Sequence, residues 1–341
     1  MAVYLNLGWI CDLLVVIFAN LINKNLEITP MATRRERSAQ FIRKAVAESM
    51  IPRNQIANIS GLTNTYIKDL EQGNIANVSR DKLLKFSTAV GLDLESIDDL
   101  LTVFDRAKLK ADDIPLFIEN AKKQKPSNSV HTARDFFGYE LLLLATESLS
   151  GPKTVHTNHP TVVLQPEELR IAFREKAPGH HPIHNELRRA IGRERKANLI
   201  RQLAKHDMHH YISRQALENY IAASGTPRER RLKAEHLMNI KRFVQTYPRF
   251  KYYLTDMEIG FNFLIKYSKN KLGAERVLFY THDISLLQGE FTGQITGFYT
   301  GNKVIIEQFK KDVAIAESKA IEEFRDPANL AGFLTKLVEN A

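Results

Sequence analysis

The stretch GLTNTYIKDLEQG, residues 61–73, opens and closes on glycine. Thr63 offers a hydroxyl that can cap a helix start, and Gly73 suits the left-handed turn that stops one. The stretch therefore predicts a short helix over 63–72. Tyr66, Ile67 and Leu70 share its inner face, while Asn64, Thr65, Lys68 and Asp69 point outward. A helix this short buries little by itself, so its purpose lies in what it exposes.

Working outward, the pattern before it predicts a helix over 37–49, with Phe41, Ile42, Ala45 and Val46 on one face. Pro52 then stands where a first-turn proline is tolerated, ahead of a helix over 53–59. Ser79 caps a fourth helix carrying Leu83, Leu84, Phe86 and Val90, stopped by Gly91. A fifth runs over 94–104 with Leu94, Ile97, Leu100 and Leu101. Five short helices within one small segment make a compact all-α domain.

The second and third helices, joined through Gly61, form a helix-turn-helix. Ala57 is small enough for the pair to approach, and Gly61 takes a backbone conformation that a Cβ disfavours. The outer face of 63–72 is then free to enter a major groove. Asn64 can bond adenine through its amide, Thr65 offers a methyl and a hydroxyl, Lys68 reaches guanine or phosphate, and Asp69 can accept from cytosine. Arg53 and Thr63, at the starts of the two helices, suit phosphate, as do Asn77 and Arg80 near the next helix start.

IPRNQIANISGLTNTYIKDLEQGNIANVSRDKLLKFSTAVGLDLESI, residues 51–97, resembles the Cro/CI phage-repressor (XRE) family of helix-turn-helix transcriptional regulators, and the likeness extends over 37–101. The carrying features are the alanine, the turn glycine, the Ser/Thr cap, the Tyr-Ile pair, the Leu-Glu-x-Gly end and the closing A-x-G-L-x-L. The resemblance implies a lambda-repressor-like five-helix domain, base reading from 64, 65, 68 and 69, and a dimer on near-palindromic double-stranded DNA. Two positions depart from the family. Arg53 stands where glutamine is common. Val46 stands where a first-helix arginine often pairs with the glutamate found here at Glu71, so the partner of Glu71 is left open.

Beyond the helix-turn-helix, 105–134 reads as polar helix ending in the linker KKQKPSNSV. An apolar helix covers 135–149, a loop follows at GPKTVHTNHP, and 166–251 reads as basic helices broken at PGHHP and SGTP. FKYYLTDMEI, FNFLIKYS, ERVLFYTH and FTGQITGFYTG then carry the aromatic and β-branched texture of strands, closed by helices over 302–324 and 328–339. The fold class expected is mainly α with a C-terminal α/β (α+β) module. Its segments are an apolar extension (1–30), the DNA-binding domain (31–104), a helical linker region (105–164), a basic helical region (165–244) and a small sensory or dimerisation module (245–341). Tyr252, Tyr253, Phe261, Phe263 and Tyr299 in the last segment suit a core or a pocket for an unidentified small-molecule or protein signal.

The chain of 341 residues carries a net charge of +9, which favours a polyanionic partner. The excess is concentrated in the middle, where 165–251 holds nineteen Lys/Arg against nine Asp/Glu. Its basic run 213–243 reads as a second nucleic-acid face or a linker helix. One cysteine, Cys11, excludes an internal disulfide and a cysteine-based zinc site, and suits a reducing, cytoplasmic compartment. Residues 3–22 are mostly apolar but interrupted by Asp12, and three readings fit them: an extension upstream of a start at Met31, a packing helix, or a membrane anchor.

Histidines cluster at His180, His181 and His184 and at His206, His209 and His210. Helical spacing would put His206 and His210 on one face, as a metal site needs, although surface histidines are the plainer reading. No nucleotide loop or catalytic spacing is present, so neither cofactor, metal nor catalytic residue is expected. The function expected is sequence-specific transcriptional regulation. The alternative is a nucleotide- or phosphodiester-processing unit at 165–341 carried by a DNA-binding head.

Overall fold

The computed structural model describes residues 33–49, 51–123, 131–133, 136–172, 181–257, 261–268, 275–280 and 297–340. The N-terminal apolar stretch and Cys11 lie outside them. The first five helices are α1 (Arg34–Ser49), α2 (Arg53–Ser60), α3 (Asn64–Gln72), α4 (Arg80–Val90) and α5 (Leu94–Val103). Their ends follow the local chemistry. Thr63 Oγ1 accepts from the Tyr66 amide at 3.1 Å, and Asp93 caps α5 by accepting from Ser96 at 2.6 Å. Gly61 and Gly73 both take φ near +70°, where a side chain is strained. Ile42, Ile56, Ile67, Leu70, Leu83, Leu84, Phe86 and Ile97 are buried at the centre of this bundle. A sixth helix, α6 (Ile114–Lys123), packs Phe117 into the same core.

The rest of the chain builds a mixed sheet between helices. Its strands are β1 (His131–Ala133), β2 (Lys153–Thr157), β3 (Met208–Ser213), β4 (Phe250–Thr255), β5 (Asn262–Lys266), β6 (Arg276–Tyr280) and β7 (Gly297–Thr300), in spatial order β1-β7-β6-β5-β2-β3-β4. β2, β3 and β4 are mutually parallel, and the other pairings are antiparallel. The intervening helices are α7 (Phe136–Ser148), α8 (Glu167–Ala172), α9 (His184–Leu203), α10 (Arg214–Ala222) and α11 (Pro227–Thr246), and the chain ends with α12 (Lys303–Ser318) and α13 (Pro327–Glu339). Helices α7, α9, α10, α11 and α13 cover one sheet face through Leu142, Leu203, Leu217, Leu237 and Leu334. Ile306 and Phe309 of α12 cover the other, against Phe263, Ile265 and Val277.

The expected class, mainly α with a mixed α/β part, is what the chain adopts. The sheet nevertheless reaches further upstream than its aromatic texture suggested. β2 forms where a loop was expected, and β3 interrupts a segment expected to be helical. Both strands are buried along nearly their whole length despite carrying lysine, threonine and histidine. The histidine spacing was therefore misread. His206 follows α9, where its Nε2 meets Ser150 Oγ at 3.0 Å, whereas His210 is fully buried within β3. Among the described residues no group of three or more His, Cys, Asp or Glu is placed to hold a metal ion, and no helix is long and apolar enough to cross a membrane. His180 lies outside the described residues.

Candidate nucleic-acid interface

Ile67 and Leu70 lock the inner side of α3 into the helical core. This fixes the rotation of the helix and turns Asn64, Thr65 and Lys68 to solvent, where all three are exposed. Asp69, on the same helix, is half-buried, and its Oδ1 accepts from Asn74 Nδ2 at 3.3 Å. Of the four outward residues, Asp69 is thus the one already engaged. Thr63 is exposed, but its hydroxyl oxygen serves the cap.

Glu71 has a partner that the family pattern did not supply. Arg53 Nε donates to Glu71 Oε2 at 2.5 Å, and this pairing holds the guanidinium above its ordinary pKa. Arg43 of α1 donates to the Glu71 carbonyl at 2.7 Å. The start of α2 and the end of α3 are therefore tied together, and α1 is tied to the same point. Arg35 Nη2 reaches the Asn74 carbonyl at 3.2 Å, and Lys82 Nζ sits 4.4 Å from the centre of the Tyr66 ring. Arg35, Arg43, Arg53, Lys68 and Lys82 are all exposed, so α3 carries one exposed cation of its own and meets four more from its neighbours. Arg35, Arg43 and Lys82 escaped the sequence reading because each lies on a neighbouring helix, and only the tertiary fold brings them to α3.

Asn77 and Arg80 are placed differently. Arg80 makes a two-point bond to Asp113, at 2.9 and 2.6 Å, and donates to the carbonyls of Ala107 and Lys108. The bond to Asp113 raises the Arg80 pKa against the opposing effect of burial. Burial pushes the Asp113 carboxyl up, but the bonds from Arg80 and the Lys110 amide outweigh it and leave the pKa lowered. Asn77 Oδ1 accepts from Arg106 Nη2, which also reaches the Val78 carbonyl. The start of α4 is thus clamped to the segment following α5. Arg80 has its guanidinium committed inside the protein, while Asn77 stays exposed.

No family model and no curated protein matches the chain. Among solved structures it aligns with TrmBL2, an archaeal chromatin protein whose structure shows a novel mode of DNA binding. The alignment is 11% identical, covers 87% of this chain and 96% of that one, and has a TM-score of 0.34.

Proposed function

We propose that this protein is a sequence-specific DNA-binding transcriptional regulator. The observation that carries the proposal is the outward face of α3. Asn64, Thr65 and Lys68 are exposed on a helix whose inner face the core holds, and four further exposed cations, Arg35, Arg43, Arg53 and Lys82, meet that helix or the turn that ends it. Those three residues read base edges, joined by Asp69 once Asn74 releases it. Arg53, Arg43, Arg35 and Lys82, with Thr63 and Asn77, hold the flanking phosphates. Arg80 acts one step removed, by fixing the start of α4. One such head has a small footprint, so the working form is a homodimer spanning two half-sites about one helical turn apart. In this reading the protein works in the cytoplasm, and its α/β part receives a signal and carries out no reaction.

The test is binding of the full chain to its own upstream DNA and to a scrambled duplex, over a salt series, beside Asn64→Ala. The expected result is a sequence preference that Asn64→Ala loses by about 1–3 kcal/mol while salt-sensitive binding persists. Equal binding of both duplexes by both proteins would reduce the claim to a general affinity for nucleic acid. Metal analysis of the purified chain tests the binding-only reading, because stoichiometric zinc or manganese would favour a processing enzyme.

A further inference from the structure

A group of buried polar side chains lies between the parallel strands and the helices α8, α9 and α11. His236 of α11 is fully buried, with Nε2 2.9 Å from the Thr161 carbonyl and Nδ1 2.9 Å from the Tyr220 hydroxyl. A carbonyl only accepts, so Nε2 carries the proton and Nδ1 accepts from Tyr220. His236 is therefore neutral and satisfied. His210 stacks on Tyr252 with centroids 4.6 Å apart, yet neither of its ring nitrogens has a hydrogen-bond partner.

Among the described residues the charges in this group do not balance. Arg195 forms a two-point pair with Glu147 at 2.7 and 2.8 Å, and Arg188 reaches Glu140 at 3.5 Å. Arg170, the third buried guanidinium of this group, has no carboxylate of its own among the described residues. Its Nη2 donates to the Val162 carbonyl at 3.0 Å, while Nε and Nη1 have no partner. It is 4% exposed. Burial lowers its pKa to about 10, so it stays charged at neutral pH. A buried cation without a counter-ion is costly. The guanidinium is nonetheless held in place. Arg188 donates to the Arg170 carbonyl at 2.7 Å, and Gly192 lets the side chain lie against α9, where a Cβ would collide with Nη1.

We propose that Arg170 is the anchor of a binding site for a small oxyanion, the carboxylate or phosphate group of an effector. A singly charged group supplies the missing counter-charge. The role as effector site rests on the regulator reading, but the binding does not, so it is measured without DNA.

Inorganic phosphate or acetate is titrated against chloride at constant ionic strength, and thermal unfolding of the full chain is followed. Phosphate also stabilises proteins generally, so the readout is the difference between variants. At least one oxyanion raises the wild-type Tm saturably, and Arg170→Met weakens that binding at least tenfold. In chloride alone Arg170→Met is as stable as wild type or more so, because it deletes an unpaired charge. Gly192→Ala, which gains helix propensity while displacing the guanidinium, also loses the response and covers the case in which Arg170→Met fails to fold. Asn64→Ala keeps it. A saturable response absent from wild type, or preserved in Arg170→Met or Gly192→Ala, overturns the proposal. Loss of DNA preference with the oxyanion response intact would overturn the regulator reading alone.

Discussion

Two neighbouring residues at the end of α3 separate charge from shape. Glu71 is held by Arg53, whose side chain is 42% exposed. Solvent screens such a pair, so Glu71→Ala is expected to cost at most about 1 kcal/mol of stability in urea unfolding. Gly73 is the harder position to change. Its φ of 73° disfavours any Cβ, and a Cβ there would come within 3.3 Å of both the Ala39 methyl and the Arg35 carbonyl. Gly73→Ala should cost about 1–2 kcal/mol from the backbone alone, with the crowding added. If Glu71→Ala proves the more damaging, the ion pair and not the turn holds α3 in place. The glycine was legible in the sequence because its role is local. The partner of Glu71 was not, since Arg53 lies eighteen positions upstream and meets it only across the helix-turn-helix.

At the scale of elements, legibility followed the locality of the forces. Helices α1 to α5 were readable because caps, glycines and apolar spacing all lie within each helix. Thr63 is the sharpest case, and Thr63→Ala should lower stability by about 1 kcal/mol while leaving the Tyr66 amide without its acceptor. Faster hydrogen exchange confined to the first turn of α3 would locate the loss, and an unchanged rate there would show the cap to be dispensable. β4, β5, β6 and β7 were readable through their aromatic and β-branched residues. β2 and β3 were not, because KTVHT and MHHYIS look solvated. Their burial depends on partners elsewhere. Lys153 pairs with Lys266 of β5, and the His156 ring stacks on Phe263 at 4.8 Å. The surplus cation at Arg170 was hidden for the same reason, since a charge imbalance appears only when distant residues are folded together.

Across the whole molecule, α7 and α9 join the two parts. Leu141 and Leu144 of α7 and Leu187 and Ile191 of α9 lie in the core of the N-terminal helices, while Leu142, Leu143, Leu199 and Leu203 of the same helices lie in the core of the sheet. His181 Nε2 meets Asp98 Oδ2 of α5 at 3.1 Å across the same junction. Arg170 lies against Gly192 of α9, a helix that also packs in the N-terminal helical core. The same interior sets the response to acid. Burial holds His156 and His159 down to about 4 and His236 down to about 3, against 6.5 for an unperturbed imidazole, and it also lowers His210. Below pH 6.5 the unfolded chain takes up these protons and the folded chain refuses them. Their contribution is therefore complete above about 6.5 and drains away as the pH falls toward 4. Each imidazole contributes about 1.4 kcal/mol per pH unit in that window, and three together contribute roughly 4. Asp113 and Glu194 have lowered pKa values, so their contribution begins to fall only as the pH drops through the ordinary carboxylate range, and it does not account for the window above it. Urea unfolding between pH 7 and 5 should show this steep fall. His236→Gln can still donate to Thr161 and accept from Tyr220, and it should flatten the slope by about one proton, or 1.4 kcal/mol per pH unit. A wild-type slope of one proton or less would mean that the folded interior admits the imidazolium, and that water reaches the histidines.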